Sequence, residues 1–153
     1  MLQIVEAKLV EVKVDSSSLH RSSTGSITGG IWLDISSRAF PAPKWNDFVV
    51  LILEEWLSTS VNLYDGSAKF GRCRFMDGDH WFEIERRRTD VWSLRCSGGV
   101  DTAEIEPRTF MSSMVSCANE IFAACTKQGW HDDVRGLESA AWHGGRRILA
   151  HHA

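Results

Sequence analysis

Apolar and polar positions alternate along the first part of the chain. Between residues 3 and 14, Val5, Ala7 and Leu9 share one parity and Val10, Val12 and Val14 the other. That pattern predicts a strand with a bulge near Leu9 and Val10, where the buried face switches. Ser16 to Gly30 is rich in Ser, Thr and Gly and predicts a hairpin or mobile loop around a polar edge strand. Ile31, Leu33 and Ile35 then alternate with Trp32, Asp34 and Ser36, as in a half-buried strand. After Pro41 and Pro43 the period changes. Trp45, Phe48, Val49, Ile52 and Trp56 recur at helical spacing, and Val50, Leu51, Leu53 and Leu57 clothe much of the remaining circumference. A helix apolar in nearly every direction belongs inside, between a sheet and another element or at a subunit interface. It does not cross a membrane: a span needs about 20 apolar residues, and Asn46, Asp47, Glu54 and Glu55 interrupt this one.

The middle of the chain fixes its own register. Asp77-Gly78 between two strand-like runs predicts a two-residue type I′ hairpin, which pairs Met76 with Asp79. Counting outward sets Cys73 opposite Phe82 and Gly71 opposite Ile84 on one face, with Arg72 opposite Glu83 and Arg74 opposite Trp81 on the other. A loop around Thr89 sets Phe82 against Cys96, Ile84 against Leu94, Arg86 against Trp92 and, on the polar side, Glu83 against Arg95. A turn at Gly98-Gly99 sets Leu94 against Ala103 and Trp92 against Ile105. Three turns thus agree on one apolar face across a four-stranded meander.

Pro107 suits the first position of a helix whose core stripe is Phe110, Met114, Cys117, Ile121 and Cys125, joined by Met111, Val115, Ala118 and Phe122. Gly129 ends it. Asp132 is predicted to cap a last short helix through Val134, Leu137, Ala140 and Ala141 that stops at Gly144-Gly145, leaving residues 146–153 as a frayed tail. The expected fold is α+β: a single domain over residues 1–153, with a mostly antiparallel sheet containing the meander, packed against the central helix and two C-terminal helices.

Composition narrows the function. At 153 residues, 43% hydrophobic with seven Trp, the chain is long enough for a core without disulfide support. A formal net charge of −3 provides no general basic field, so direct nucleic-acid binding is not expected. Glu6 and Lys8 arrive before any sustained apolar run, so neither a signal peptide nor a membrane anchor is expected and the compartment is predicted to be the cytoplasm. Cys73, Cys96, Cys117 and Cys125 contain no C-x-x-C pair and lie in apolar patterns, as buried free thiols do. Cys73 and Cys96 are predicted not to bridge, because Phe82 lies between them and two strand spacings make about 9.6 Å, against a limit of roughly 7 Å between bridged Cα atoms.

Candidate chemistry is sparse. Asp77, Asp79 and His80 resemble an acid-imidazole cluster, but turn formation accounts for the acids and alternation sends His80 away from Trp81. His131, Asp132 and Asp133 are accounted for by a helix start. Burial on an apolar stripe would raise the thiol pKa of Cys117 and Cys125 and make them poor nucleophiles. No G-x-S-x-G elbow, P-loop, H-E-x-x-H helix or dinucleotide fingerprint occurs, so no catalytic residue, metal or cofactor is expected. The polar face of the meander carries Arg72, Arg74, Trp81, Glu83, Glu85, Arg87 and Arg95. Cross-strand ion pairing explains the charges, whereas Trp81 has little reason to face water. Trp81, with Arg72, Arg74 and Glu83, is therefore the candidate partner-binding surface.

The run Gly29-Gly-Ile-Trp-Leu-Asp-Ile-Ser-Ser-Arg-Ala-Phe-Pro-Ala-Pro-Lys-Trp-Asn-Asp-Phe-Val-Val50, together with the Asp77-Gly78 hairpin, resembles a group of small bacterial proteins. Similar single-domain α+β chains include immunity proteins of contact-dependent growth inhibition and other polymorphic toxin systems. The resemblance implies a non-enzymatic toxin inhibitor that neutralises a cognate toxin domain by stoichiometric occlusion, and carries over no residue role. The competing expectation is a small-molecule-binding protein or a hydrolase with a pocket between the central helix and the sheet, near Trp45 and Trp56.

Overall fold

The computed structural model describes residues 8–99 and 102–150, with the side chains of residues 149 and 150 outside the description. Two antiparallel sheets share one hydrophobic core with three helices. The first sheet contains β1 (Val10–Arg21), β2 (Ile27–Ile35), β3 (Arg38–Phe40) and β4 (Asn46–Asp47), with β2 pairing all three others. After α1 (Val49–Tyr64) comes the meander β5 (Phe70–Arg74), β6 (Trp81–Arg88), β7 (Val91–Cys96) and β8 (Thr102–Ile105), and then α2 (Pro107–Lys127), a 3₁₀ turn (His131–Val134) and α3 (Arg135–Ala150).

The Ser/Thr/Gly-rich stretch is a hairpin, with β1 running to Arg21 and β2 starting at Ile27. The expected strand at residues 3–7 lies outside the described residues. The register break falls between Asp15 and His20 rather than near Leu9. Ser18 stitches it: its hydroxyl donates to the Asp15 carbonyl (2.7 Å) and accepts from the Gly30 N–H (2.8 Å). Ile31, Leu33 and Ile35 are buried as alternation requires.

The central helix is buried, but it begins at Val49 and runs past Leu57 to Tyr64. Trp45 and Phe48 therefore precede it. Phe48 is 40% exposed, and Leu51, on the outward side, is 45% exposed. Asp47 explains the late start. Its carboxylate accepts from the Phe48 N–H (2.7 Å), the Trp45 indole (3.1 Å) and the backbone N–H of Met76 (3.0 Å), which holds the preceding residues extended as β4. The inward face, with Val49, Ile52, Leu53, Trp56, Leu57 and Leu63, meets both sheets and both C-terminal helices.

The pairings derived from Gly71 with Ile84 to Trp92 with Ile105 are all present, whereas Met76 and Asp79 are not a ladder pair but part of the loop that Phe75 and His80 close (3.0 Å). The Asp77-Gly78 turn itself is not type I′: Gly78 has φ +77°, whereas Asp77 is not among the residues with positive φ. The Asp47 carboxylate takes the Asp77 N–H (3.0 Å) from outside the hairpin, so that residue has no need of the left-handed conformation.

In α2, Pro107 opens the helix, the Glu106 side chain accepts from the Arg108 and Thr109 N–H groups, and Gly129 follows the end with φ +84°. The last helix differs from expectation at both ends. Asp132 does not cap it but lies in the 3₁₀ turn, paired with Arg135 at 2.7 Å. Gly144-Gly145 does not stop it either; the helix continues to Ala150, and only residues 151–153 of the expected tail lie outside the described residues. Gly144 is there for close packing, since an added Cβ would lie 3.0 Å from Val115 and 3.3 Å from Leu57.

Candidate functional site

The meander turns one face to the helices and leaves the other open. Cys73, Phe82, Ile84, Trp92, Leu94, Cys96, Ala103 and Ile105 fill the inner face and are buried. The outer face shows the alternate residues, with Arg72, Arg74, Arg87 and Arg95 exposed. Side chains on a pleated sheet stand nearly perpendicular to it, so neighbours across the ladder must find partners among themselves.

Trp81 finds two. The guanidinium of Arg72 lies 4.2 Å from its ring centroid and that of Arg95 lies 5.6 Å away. Both cations also reach Glu83, Arg72 at 3.1 Å and Arg95 through a very short contact. Glu83 is only 7% exposed. Burial on its own would raise the Glu83 carboxyl; the hydrogen bonds from Arg95 and Arg72, and their charges, outweigh it and hold the group below the usual carboxylate range. The backbone pins Trp81 as well: its N–H donates to the Ser97 hydroxyl (3.1 Å) and its carbonyl accepts from the Ser97 N–H (2.8 Å). The indole is thus fixed over an ion-paired triad, an arrangement that leaves little rotamer freedom to lose on binding.

Of the four sequence-derived site residues, Trp81, Arg72 and Glu83 form this cluster. Arg74 pairs with Trp81 across the ladder, is exposed, and has no ion pair among the described residues. Two contributors escaped the sequence reading. Arg95 was placed opposite Glu83 without being counted in the site. Phe70, 55% exposed, stands opposite Glu85 on the same outer face, and carrying the register one pair beyond Gly71 would have found it.

Other residues considered for chemistry are occupied structurally. The His80 ring meets Trp45 edge to face at 5.0 Å and Phe40 at 6.1 Å. His131 packs on Phe122 at 5.8 Å, and Asp133 pairs with Arg21 at 2.9 Å. All four cysteines are buried free thiols. Burial pushes Cys117 up to about 12 and Cys125 up to about 11, and raises Cys73 further, so thiolate is scarce at neutral pH. Trp56 is fully enclosed, edge to face with Phe75 (5.0 Å) and Phe82 (4.8 Å), while Trp45 turns its indole N–H to Asp47. A groove of about 300 Å³ between α1 and β5 touches Trp56, and a polar groove of about 690 Å³ lies between β1 and α2, lined by Glu11, Lys13, Ser113 and Cys117 among others. Ser113 and Cys117 engage the β1 edge: the Ser113 hydroxyl accepts the Val12 N–H (2.9 Å) and the Cys117 thiol donates to the Val12 carbonyl (3.1 Å). Among the described residues no helix is long and apolar enough to cross a membrane, and no three His, Cys, Asp or Glu side chains group as a metal site would require.

Compared with known protein families, curated proteins and solved structures, the chain matches none.

Proposed function

We propose that the protein acts by binding another protein through the open face of the meander, as a stoichiometric inhibitor of a cognate bacterial toxin domain, and carries out no chemistry of its own. The observation that supports this reading is the clamped Trp81: a large aromatic held on a solvent-facing sheet by Arg72 and Arg95, with both cations tied to one buried carboxylate. Trp and Arg are the residue types that dominate interface energies, and a fixed aromatic among paired charges is the usual anatomy of an interface centre. Inhibition by occlusion needs only such a surface, which suits a site built of positioned charges and no activated nucleophile. The immunity assignment itself rests on the sequence resemblance.

The test is calorimetric titration of the protein against the C-terminal toxin domain of a large secreted protein encoded immediately upstream. A saturable one-to-one complex with the wild type is expected. Trp81→Ala is expected to weaken it by 2 kcal/mol or more, on the order found at interface centres, with a smaller effect on folding. Unchanged affinity in the variant removes this surface, and failure of the wild type to bind removes the immunity reading.

A further inference from the structure

We propose that the outer edge of β5 receives an extended strand of the protein partner, one that carries carboxylates at alternate positions. The inference rests on the partner-binding reading of the Trp81 face and names how a partner would engage it.

Hydrogen-bond alternation shows which peptide groups β5 offers. The Phe75 N–H donates to the His80 carbonyl (3.0 Å) and the Arg86 N–H to the Lys69 carbonyl (2.8 Å). In an antiparallel ladder the bonded pairs recur every second residue, so positions 69, 71, 73 and 75 face β6, while Phe70, Arg72 and Arg74 direct their N–H and C=O groups away from it. The Arg74 carbonyl is taken by the Trp56 indole at 3.0 Å. Among the described residues, the peptide groups of Phe70 and Arg72 on that side have no partner. Two other edges are engaged by neighbouring chain: α2 side chains cap β1 at Val12, and at β8 the Glu104 carbonyl takes the Lys8 N–H (3.1 Å). β5 contains no proline and no bulge; what guards this edge is the charge of Arg72 and Arg74, which repels like-charged strands and admits an acidic one.

The surroundings select the occupant. Beside the edge runs a shallow groove of about 300 Å³, with Glu55, Ser58 and Thr59 of α1 on one side and Arg72 and Arg74 on the other. α1 comes this close because residue 71 is glycine: a Cβ there would collide with the Thr59 methyl. An added strand presents alternate side chains to opposite faces. Those on the outer face meet Arg72 and Arg74 next to Trp81, where Arg72, Arg74 and Arg95 surround Glu83 while Glu85, the other carboxylate facing β5 on this side, is paired with Arg87. Carboxylates satisfy that excess of cations, and the intervening positions, near Glu55, favour neutral residues. A second copy of this chain is the wrong occupant. Antiparallel self-pairing along the whole of β5 centres on Arg72 and sets that residue against itself, and like charges directly opposite destabilise a ladder.

The experiment is an amide NMR titration of the full chain with a blocked seven-residue peptide of alternating Glu and Val at millimolar concentration, with a Lys-for-Glu peptide as control. Saturable shifts and at least fivefold slower hydrogen exchange at the Phe70 and Arg72 amides, with the Glu peptide only, are expected. No effect of the Glu peptide, an equal effect of the Lys peptide, or protection that grows with protein concentration without peptide would overturn the proposal. The toxin complex separates the two readings. Toxin bound with both amides exchanging as in the free protein removes the added strand and leaves the Trp81 surface. Peptide docking without toxin binding leaves the strand site and removes the inhibitor.

Discussion

The carboxylate of Asp47, beside the first turn of α1, accepts the backbone N–H of Asp77 at the tip of the β5–β6 hairpin at 3.0 Å. It also takes the N–H groups of Met76 and Phe48 and the indole of Trp45, so one buried acid joins the first sheet, the central helix and the meander. Asp47→Ala leaves those part-buried donors without their acceptor. A loss of about 3 kcal/mol is expected, since each orphaned buried group costs roughly 1–3 kcal/mol and relaxation recovers part of the sum. Urea denaturation reads it directly; a loss below about 1 kcal/mol would show that water replaces the carboxylate.

Trp56 tests the core in the same assay. Its ring lies between Phe75 and Phe82, and its N–H holds the Arg74 carbonyl. Trp56→Ala is expected to cost about 3–5 kcal/mol, whereas Glu55→Ala, one residue away on the exposed side, stays within about 0.5 kcal/mol. Equal small losses would mean that α1 is not central to the fold.

The meander was legible in the sequence because three turns independently set its parity, and a one-residue error would have turned Phe82, Ile84 and Leu94 outward. The adjacency of Trp81, Arg72 and Glu83 followed from that register. The start of α1 was not legible: Trp45 and Phe48 continue its apolar spacing, and what stops the helix is Asp47 reaching a hairpin about 30 residues away. Gly144 reads equally well as a helix stop or as a point of close packing, and only the positions of Val115 and Leu57 decide it. The open edge of β5 was hidden for the same reason, since pairing partners are tertiary facts. The partner's identity has no signal in residue spacing at all.

Acid stability should carry the signature of depressed carboxylates: Asp15, lowered at the surface by the Ser17 hydroxyl, and above all Glu83 and Glu106. For Glu83, burial raises the pKa but Arg95 and Arg72 outweigh it; for Glu106, burial is outweighed by the Thr109 hydroxyl and the Thr109 and Arg108 N–H groups. Both therefore titrate below the unfolded value of about 4.3. Groups depressed on folding stabilise the protein above that unfolded value, and the contribution is lost as pH falls through their lower folded values. Glu54 has the opposite sign: burial, then Glu55, raises it, so its protonation on acidification is favoured by the fold. Denaturation midpoints of Glu83→Gln should lie below wild type at neutral pH and converge with it below about pH 4. A constant difference across that range would mean that the charge of Glu83 is not what the arginines hold.

Neighbouring glycines in α3 provide the sharpest test of packing. Replacing a helix-interior glycine with alanine gains up to about 1 kcal/mol in helix propensity wherever the added methyl has room. At Gly145 the nearest atom to a new Cβ is a Val115 methyl at 4.0 Å, an ordinary contact. At Gly144 another Val115 methyl lies at 3.0 Å and Leu57 at 3.3 Å, so the same gain is opposed by overpacking that costs about 1–3 kcal/mol. Gly145→Ala is therefore expected to stabilise the protein by about 0.5–1 kcal/mol, and Gly144→Ala to be neutral or destabilising. Thermal melts of the two variants beside wild type decide it: equal stabilisation by both would show that α3 does not press on α1 and α2 at Gly144, and that the glycine pair is a weak helix stop after all.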